Sequence, residues 1–172
     1  MIRFENGVPK AMWYSQHANG EAFKFDILKK DKSGKRPLSF SAHGSHALYP
    51  LPGTHDHTLP NLNLPFPLLL VDECDTGPIY DPLLSAYFYA FNTSTKKPEP
   101  YRAGDPVGFL MYRGRWGDEQ YGDQDKRQMQ LAGNRKFVGG PTGPMDKQLE
   151  RKELWPESKW SKGQKVRGWL GL

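Results

Sequence analysis

The sequence predicts a mainly β fold, an antiparallel β-sandwich with long loops, and three observations predict it. Residues 22–27 alternate, with Phe23, Phe25 and Ile27 set against Ala22, Lys24 and Asp26, the period of a strand with one wet face. The 172 residues include 18 glycines and 15 prolines, which favours turns and irregular connections over long helices. The apolar runs are short and rich in Tyr, Phe and Trp, residues that suit a pleated, half-buried surface. Length favours one β-rich domain over 1–172, with a basic, Trp-containing extension at 145–172 packed on it.

Taken in order, AMWYS at 11–15 reads as a strand, and Asn19-Gly20 as the turn of a hairpin into the alternating run. PLSF at 37–40 opens another strand. Pro50, Pro52, Gly53 and Pro60 keep the following region in loops. A short buried strand is expected at 68–71, a further one across the aromatic run 83–91, and another at 107–112. The single helical expectation is 145–153. Phe23, Phe25, Leu69, Val71, Phe88 and Phe109 are the expected inward residues.

Composition excludes several functions. The formal charge is +5, from 24 basic and 19 acidic residues, with neither a dense basic stripe nor a motif for nucleic acid. No nucleic-acid partner is therefore expected. The apolar run 64–71 is too short for a transmembrane segment, and the first residues lack the apolar core of a secretory signal. Cys74 is the single cysteine; among the carboxylates of VDECD it is a poor thiolate. Asn92-Thr93-Ser94 is a glycosylation sequon if the chain meets the secretory pathway.

Chemistry is concentrated in the histidines. His43, His46, His55 and His57 fall within fifteen residues of one another, in SAHGSH and THDH, and His17 lies in the similar phrase YSQHANG. Imidazole serves as metal ligand or as base near neutral pH. His55 and His57 are the candidate metal pair, although no standard ligand spacing is present; the plainer reading is a hydrogen-bonded latch with Asp56 orienting a ring. His17, His43 and His46, with Trp116 and Tyr121, are candidates for a ligand pocket. His46, Asp118 and Glu119 are the candidates for catalysis, the carboxylates as an acid–base pair fenced by Gly117 and Tyr121. Gly139-Gly140-Pro141-Thr142-Gly143-Pro144 lacks the phosphate-loop pattern and reads as a structural turn.

The phrases FSAHGSHALYPLPGTHDH, LLLVDECDTGPIYDPLLSAYFYAF, GRWGDEQY and FVGGPTGPMDKQLERK resemble the fungal family named after vacuolar protein sorting-associated protein 62. Members usually carry, before the part matching Ile2-Arg3-Phe4, an acidic-histidine phrase ending in Gly-Asp-Trp-Glu. That phrase looks like the metal-binding heptapeptide of necrosis-inducing secreted toxins, β-sandwich proteins that bind sphingolipid heads. The resemblance implies that His17 and His46 lie near the mouth of a metal centre whose main carboxylates belong to the N-terminal phrase. The fold would then be incomplete at the N-terminus. No cofactor is expected in this chain, and a divalent metal in a longer form. His43, His46, His55 and His57 would line the site, their rings held by Asp56, Asp72 or backbone carbonyls.

Two functions follow. One is a non-enzymatic β-rich module in vacuolar protein sorting or in recognising a glycan or anionic lipid headgroup. The other is a metal-assisted polysaccharide hydrolase or lyase. The sequence leaves the compartment open: inside the cell or at the vacuole, or outside it if a longer precursor carries a signal.

Overall fold

The computed structural model describes residues 1–17, 19–56, 71–131, 133–152, 154–155 and 166–170, the side chains of 19, 131 and 134 excepted. The chain is mainly β, with several small antiparallel sheets. The described residues contain no α-helix, only short 3₁₀ turns. No described helix is long and apolar enough to cross a membrane. Contacts divide the chain into two compact units, 1–78 with 155–172, and 79–154.

In the first unit, β1 (Ile2–Glu5), β2 (Val8–Gln16) and β3 (Asn19–Lys24) form an antiparallel meander, and β12 (Val166–Arg167) adds to β3 in parallel. Asn6 and Gly7 make the first hairpin turn, both at positive φ (51° and 76°), between the paired residues Glu5 and Val8. The asparagine–glycine pair of a tight hairpin is thus Asn6-Gly7. Asn19-Gly20, expected to be a turn, instead begins β3, and Gln16 pairs with Asn19 across His17 and residue 18. Gly20 is there for space: a Cβ would stand 2.3 Å from Cζ2 of Trp13 and from the Tyr14 carbonyl.

Two short ladders complete the described strands of this unit. In the first unit, β4 (Phe40–Ser41) pairs with β5 (Leu48–Tyr49), and β6 (Gly53–Asp56) with β7 (Val71–Cys74). The sheet face of Tyr14, Phe23 and Leu28 is packed by Met12, Phe25, Ile27, Leu48 and Leu170. A second core joins Phe40, Ala42, Ala47, Tyr49 and Cys74 to Leu38. Burying one such large side chain contributes about 1.5–3 kcal/mol. Phe23 is inward as expected, and Phe25 and Val71 are half-buried; Leu69 lies outside the described residues.

The second unit contains the hairpin of β8 (Tyr89–Asn92) and β9 (Lys97–Pro100), and the small ladder of β10 (Gln130–Leu131) and β11 (Asn134–Arg135). Here the sequence expectations need correction. Phe88 and Phe109 are not inward but 51% and 45% exposed, because this unit has no buried apolar side chain among its described residues to pack them against. The strand expected from residue 83 begins only at Tyr89: Pro82 opens a 3₁₀ turn at Pro82–Ser85, capped by Asp81 accepting from the Leu83 amide at 3.1 Å. The strand at 107–112 is a 3₁₀ turn, Gly108–Met111, whose Phe109 ring meets Tyr89 and Trp116 at 6.1 Å each. The helix at 145–153 is reduced to the turn Pro144–Asp146; Gln148, at φ +50°, ends helical geometry.

The glycine–proline segment is indeed a turn, and a crossing point. Trp116 N–H donates to Pro141 O (2.7 Å) and Gly140 N–H to Asp118 O (2.8 Å). Gly117 and Gly140 pass so closely that a Cβ on Gly140 would lie 2.5 Å from the Gly117 Cα. Only hydrogen fits at Gly140, and a Cβ on Gly117 would press within 3.0 Å of the Gly140 Cα.

Candidate functional site

Among the described residues, the buried polar and charged side chains all lie in the first unit: Gln16, Glu21, His55, Asp56 and Asp72. At their centre is Asp72, on β7, whose alternation turns Asp72 and Cys74 inward and Glu73 outward. Three elements supply donors to its carboxylate. Tyr49 OH on β5 donates to Oδ2 at 2.7 Å, Ser45 Oγ from the turn after β4 donates to Oδ1 at 2.7 Å, and His17 Nε2 reaches Oδ2 at 2.8 Å. An ionised carboxylate only accepts, so His17 carries its proton on Nε2.

Burial alone would raise the Asp72 pKa, but the hydrogen bonds from His17, Tyr49 and Ser45 outweigh it. They hold the carboxyl well below the usual range. Tyr49 is pushed the other way, first by burial and then by its bond to Asp72, and stays a phenol.

Two of the histidines singled out from sequence are backbone outliers. His17 (φ +50°) and His46 (φ +57°) occupy the left-handed region, which costs an L-residue about 1–2 kcal/mol. Residues held in such strain gather at functional sites. For His17, the bond to Asp72 fixes the hairpin tip. For His46, the turn 42–47 is closed by His46 N–H to Ala42 O (3.0 Å) and Ala42 N–H to Ala47 O (2.8 Å). The His43 amide donates to Glu73 O at 2.9 Å. His43 and His46 are exposed, and the His17 side chain is 27% exposed. Of the three, the His17 imidazole contacts Asp72, while His43 and His46 stand exposed on the turn that also carries Ser45.

His55 is different. It is 2% exposed, stacked on Tyr49, and its Nε2 lies 3.0 Å from Leu51 O. A carbonyl only accepts, so Nε2 bears the proton; Nδ1 is buried without a hydrogen-bond partner. Burial pushes this imidazole down from its ordinary pKa. His55 is opposite Asp72 across the β6–β7 ladder, so the two share a face. His57 lies outside the described residues. Among the described residues no group of three or more His, Cys, Asp or Glu is placed to hold a metal ion.

A second polar chain supports the first. Gln16 Nε2 donates to Glu21 Oε2 (3.2 Å) and to Leu48 O (3.3 Å), tying β2 to β5, while Glu21 pairs with Arg167 of β12 at 2.5 Å. The sequence reading did not find Glu21, Arg167, Ser45 or Tyr49. The legible signal was VDEC itself, since period two puts its aspartate on the same side as its cysteine. The Cys74 thiol is pushed up to about 11 by burial and by Asp72 and Glu73, and donates to Phe40 O.

The remaining candidates are in the second unit. Glu119 is 88% exposed in its side chain and lies 3.7 Å from Arg115 Nε, and Asp118 gives its carbonyl to Gly140. Trp116 packs over Gly143. Tyr121 lies beneath the Arg127 guanidinium at 3.9 Å, and Arg127 in turn is held by Asp125.

Fold and site together define a mainly β chain organised around a buried carboxylate saturated by its own side chains. The chain is similar to two proteins of Saccharomyces cerevisiae. It is 35% identical over 171 residues to "Putative vacuolar protein sorting-associated protein TDA6", covering 90% of this chain and 36% of that protein. It is 34% identical over 174 residues to "Vacuolar protein sorting-associated protein 62", covering 93% and 36% respectively. The chain thus spans about a third of the length of these relatives. No family model and no solved structure matches it.

Proposed function

We propose that this chain is a non-enzymatic β-rich module of the vacuolar protein sorting-associated type, which recognises an anionic or hydroxyl-rich headgroup of a lipid or a glycan. The observation that carries the reading is the occupancy of Asp72. Both its oxygens accept from neighbouring side chains, so the carboxylate has no room to act as a base. The phenol and the thiol beside it are pushed towards their neutral forms, which leaves no activated nucleophile there.

The rim of this reading is formed by the exposed His43 and His46, with the partly covered His17 beside Asp72, on a chain of formal charge +5. Imidazoles present donors to phosphate or hydroxyl oxygens and gain charge as pH falls. The four-stranded sheet is one layer of a sandwich. Similarity to two vacuolar sorting-associated proteins supports an intracellular or vacuole-associated site of action.

The test is binding to vesicles of phosphatidylcholine with and without anionic lipid, beside a panel of immobilised glycans. His43→Ala and His46→Asn remove the two members of the rim that do not touch Asp72; asparagine tolerates the left-handed backbone at 46. The reading expects capture by one of these surfaces and a loss of roughly tenfold or more in the double variant, at unchanged melting temperature. Absence of binding to every surface would refute it.

A further inference from the structure

Among the described residues, no strand pairs with the outer edge of the four-stranded sheet. In the strand order β1-β2-β3-β12, β1 stands at one end. Met1 and Trp13 exchange both backbone bonds at 2.8 Å, so the alternation of an antiparallel ladder turns the N–H and C=O groups of Ile2 away from β2. The register shifts between Arg3 and Phe4. Beyond the shift Phe4 stands next to Glu5, which closes the two-residue hairpin against Val8, so its groups turn outward as well. Phe4 is opposite Pro9, which has no N–H to give. Ile2 and Phe4 are 37% and 59% exposed. The strand carries neither proline nor lysine; its guards are its four-residue length, the register shift between Arg3 and Phe4, and the charges of Arg3 and Glu5. In a pair of copies those charges become complementary.

The strand is also complementary to itself. Reversed against a second copy and centred on Phe4, IRFE puts ring opposite ring, and Arg3 of each copy opposite Glu5 of the other. Aromatic pairs and opposite charges are the favoured cross-strand neighbours. The neighbouring register, centred on Arg3, would put like charges opposite each other. Arg3 and Glu5 are both about half exposed and only 3.8 Å apart within the strand, so their charges already lie on one face.

We infer that β1 pairs antiparallel with β1 of a second copy of this chain, joining two four-stranded sheets across a two-fold axis centred on Phe4. This surface is distinct from the histidine rim and does not depend on the binding role proposed for it.

Sedimentation velocity from about 1 µM to about 1 mM tests the pairing. The chain should pass from monomer to dimer with concentration. Arg3→Glu and Glu5→Arg should each weaken the dimer by roughly tenfold or more, and the double variant should restore it. Arg3 also lies over the Trp155 ring at 5.9 Å, so melting curves of all three variants accompany the measurement. Should a single variant unfold, hydrogen exchange of the unaltered chain decides: the Ile2 and Phe4 amides should gain protection as concentration rises. A monomer at every concentration, or a dimer indifferent to the charge exchange, would overturn the inference. The first result would leave the edge to a strand from a longer chain.

Discussion

The rings of Tyr49 and His55 lie face to face, their centroids 3.8 Å apart and their planes 8° from parallel. Tyr49 spends its hydroxyl on Asp72, and His55 spends Nε2 on Leu51. The stack thus joins the β4–β5 ladder to the β6–β7 ladder through a face that a charge would disturb. Protonating Nδ1 would place a cation in a site that offers that nitrogen no acceptor.

A pH dependence follows. Burial lowers the His55 pKa, against the raising influence of the Leu51 carbonyl and of Glu21, Asp72 and Glu73. The unfolded chain takes up this proton near pH ~6.5, while the folded chain does not. The unfolded state then binds more protons, so stability falls as pH drops from about 6.5 towards the folded value, by at most about 1.4 kcal/mol per unit, and the loss stops below it. Asp72 acts in a lower window. Its folded pKa is depressed, so its contribution is present above about 3.9 and is lost as pH falls below that. Urea unfolding from pH 8 to pH 3 should show two descending limbs, and His55→Phe should flatten the upper one. Equal slopes in the two proteins would contradict the assignment.

Removing the Asp72 carboxylate should cost far more than removing one of its donors. Asp72→Ala leaves Tyr49 and His17 without their acceptor, and a loss of about 3–5 kcal/mol is expected. Tyr49→Phe deletes one bond to a charged group and should cost about 1.5–3 kcal/mol. Chemical denaturation of the two variants gives the ordering. A Tyr49→Phe effect equal to that of Asp72→Ala would mean that the other donors contribute nothing.

The glycine at 20 and the one at 140 should resist substitution for reasons of space. Gly20→Ala drives a Cβ into Trp13 and the Tyr14 carbonyl, and Gly140→Ala into the Gly117 backbone; overpacking of this kind costs about 1–3 kcal/mol. Gly122 has nothing within 4 Å of its Cβ position and no positive φ, so Gly122→Ala should be neutral or stabilise by up to about 1 kcal/mol. Thermal melts of the three variants compare them directly.

Cys74 should be inert in the folded chain. Its thiol is buried and pushed up to about 11, and the thiolate is the reactive form. Labelling by a disulfide reagent at pH 8 should be slow until denaturant is added. Prompt labelling of the native protein would show that the β4–β7 region opens readily.

The first unit was more legible in the sequence than the second. Phe23 announces its burial by alternation, and the hairpin β2–β3 follows from it. The turn was misplaced because Asn19-Gly20 has the composition of a turn, whereas Gly20 serves Trp13 and the bend falls on His17, whose strain is offset by a partner 55 residues away. In the second unit, aromatic runs suggested buried strands at 83–91 and 107–112. Aromatic content does not reveal whether a core exists to receive the rings, and Phe88 and Phe109 remain exposed. The histidines were visible as a cluster, but the carboxylate that anchors His17 was not, because convergence of β2, β5 and β7 on Asp72 is a tertiary property.

The most direct test of the account is to assay binding and turnover together on one panel of polysaccharides and lipid headgroups, with the unaltered chain and with Asp72→Asn. The account predicts binding without release of reducing ends or unsaturated products. It also predicts that Asp72→Asn lowers stability and leaves no catalytic activity to lose. Cleavage of any polysaccharide by the unaltered chain, abolished in an Asp72→Asn protein that remains folded, would contradict it.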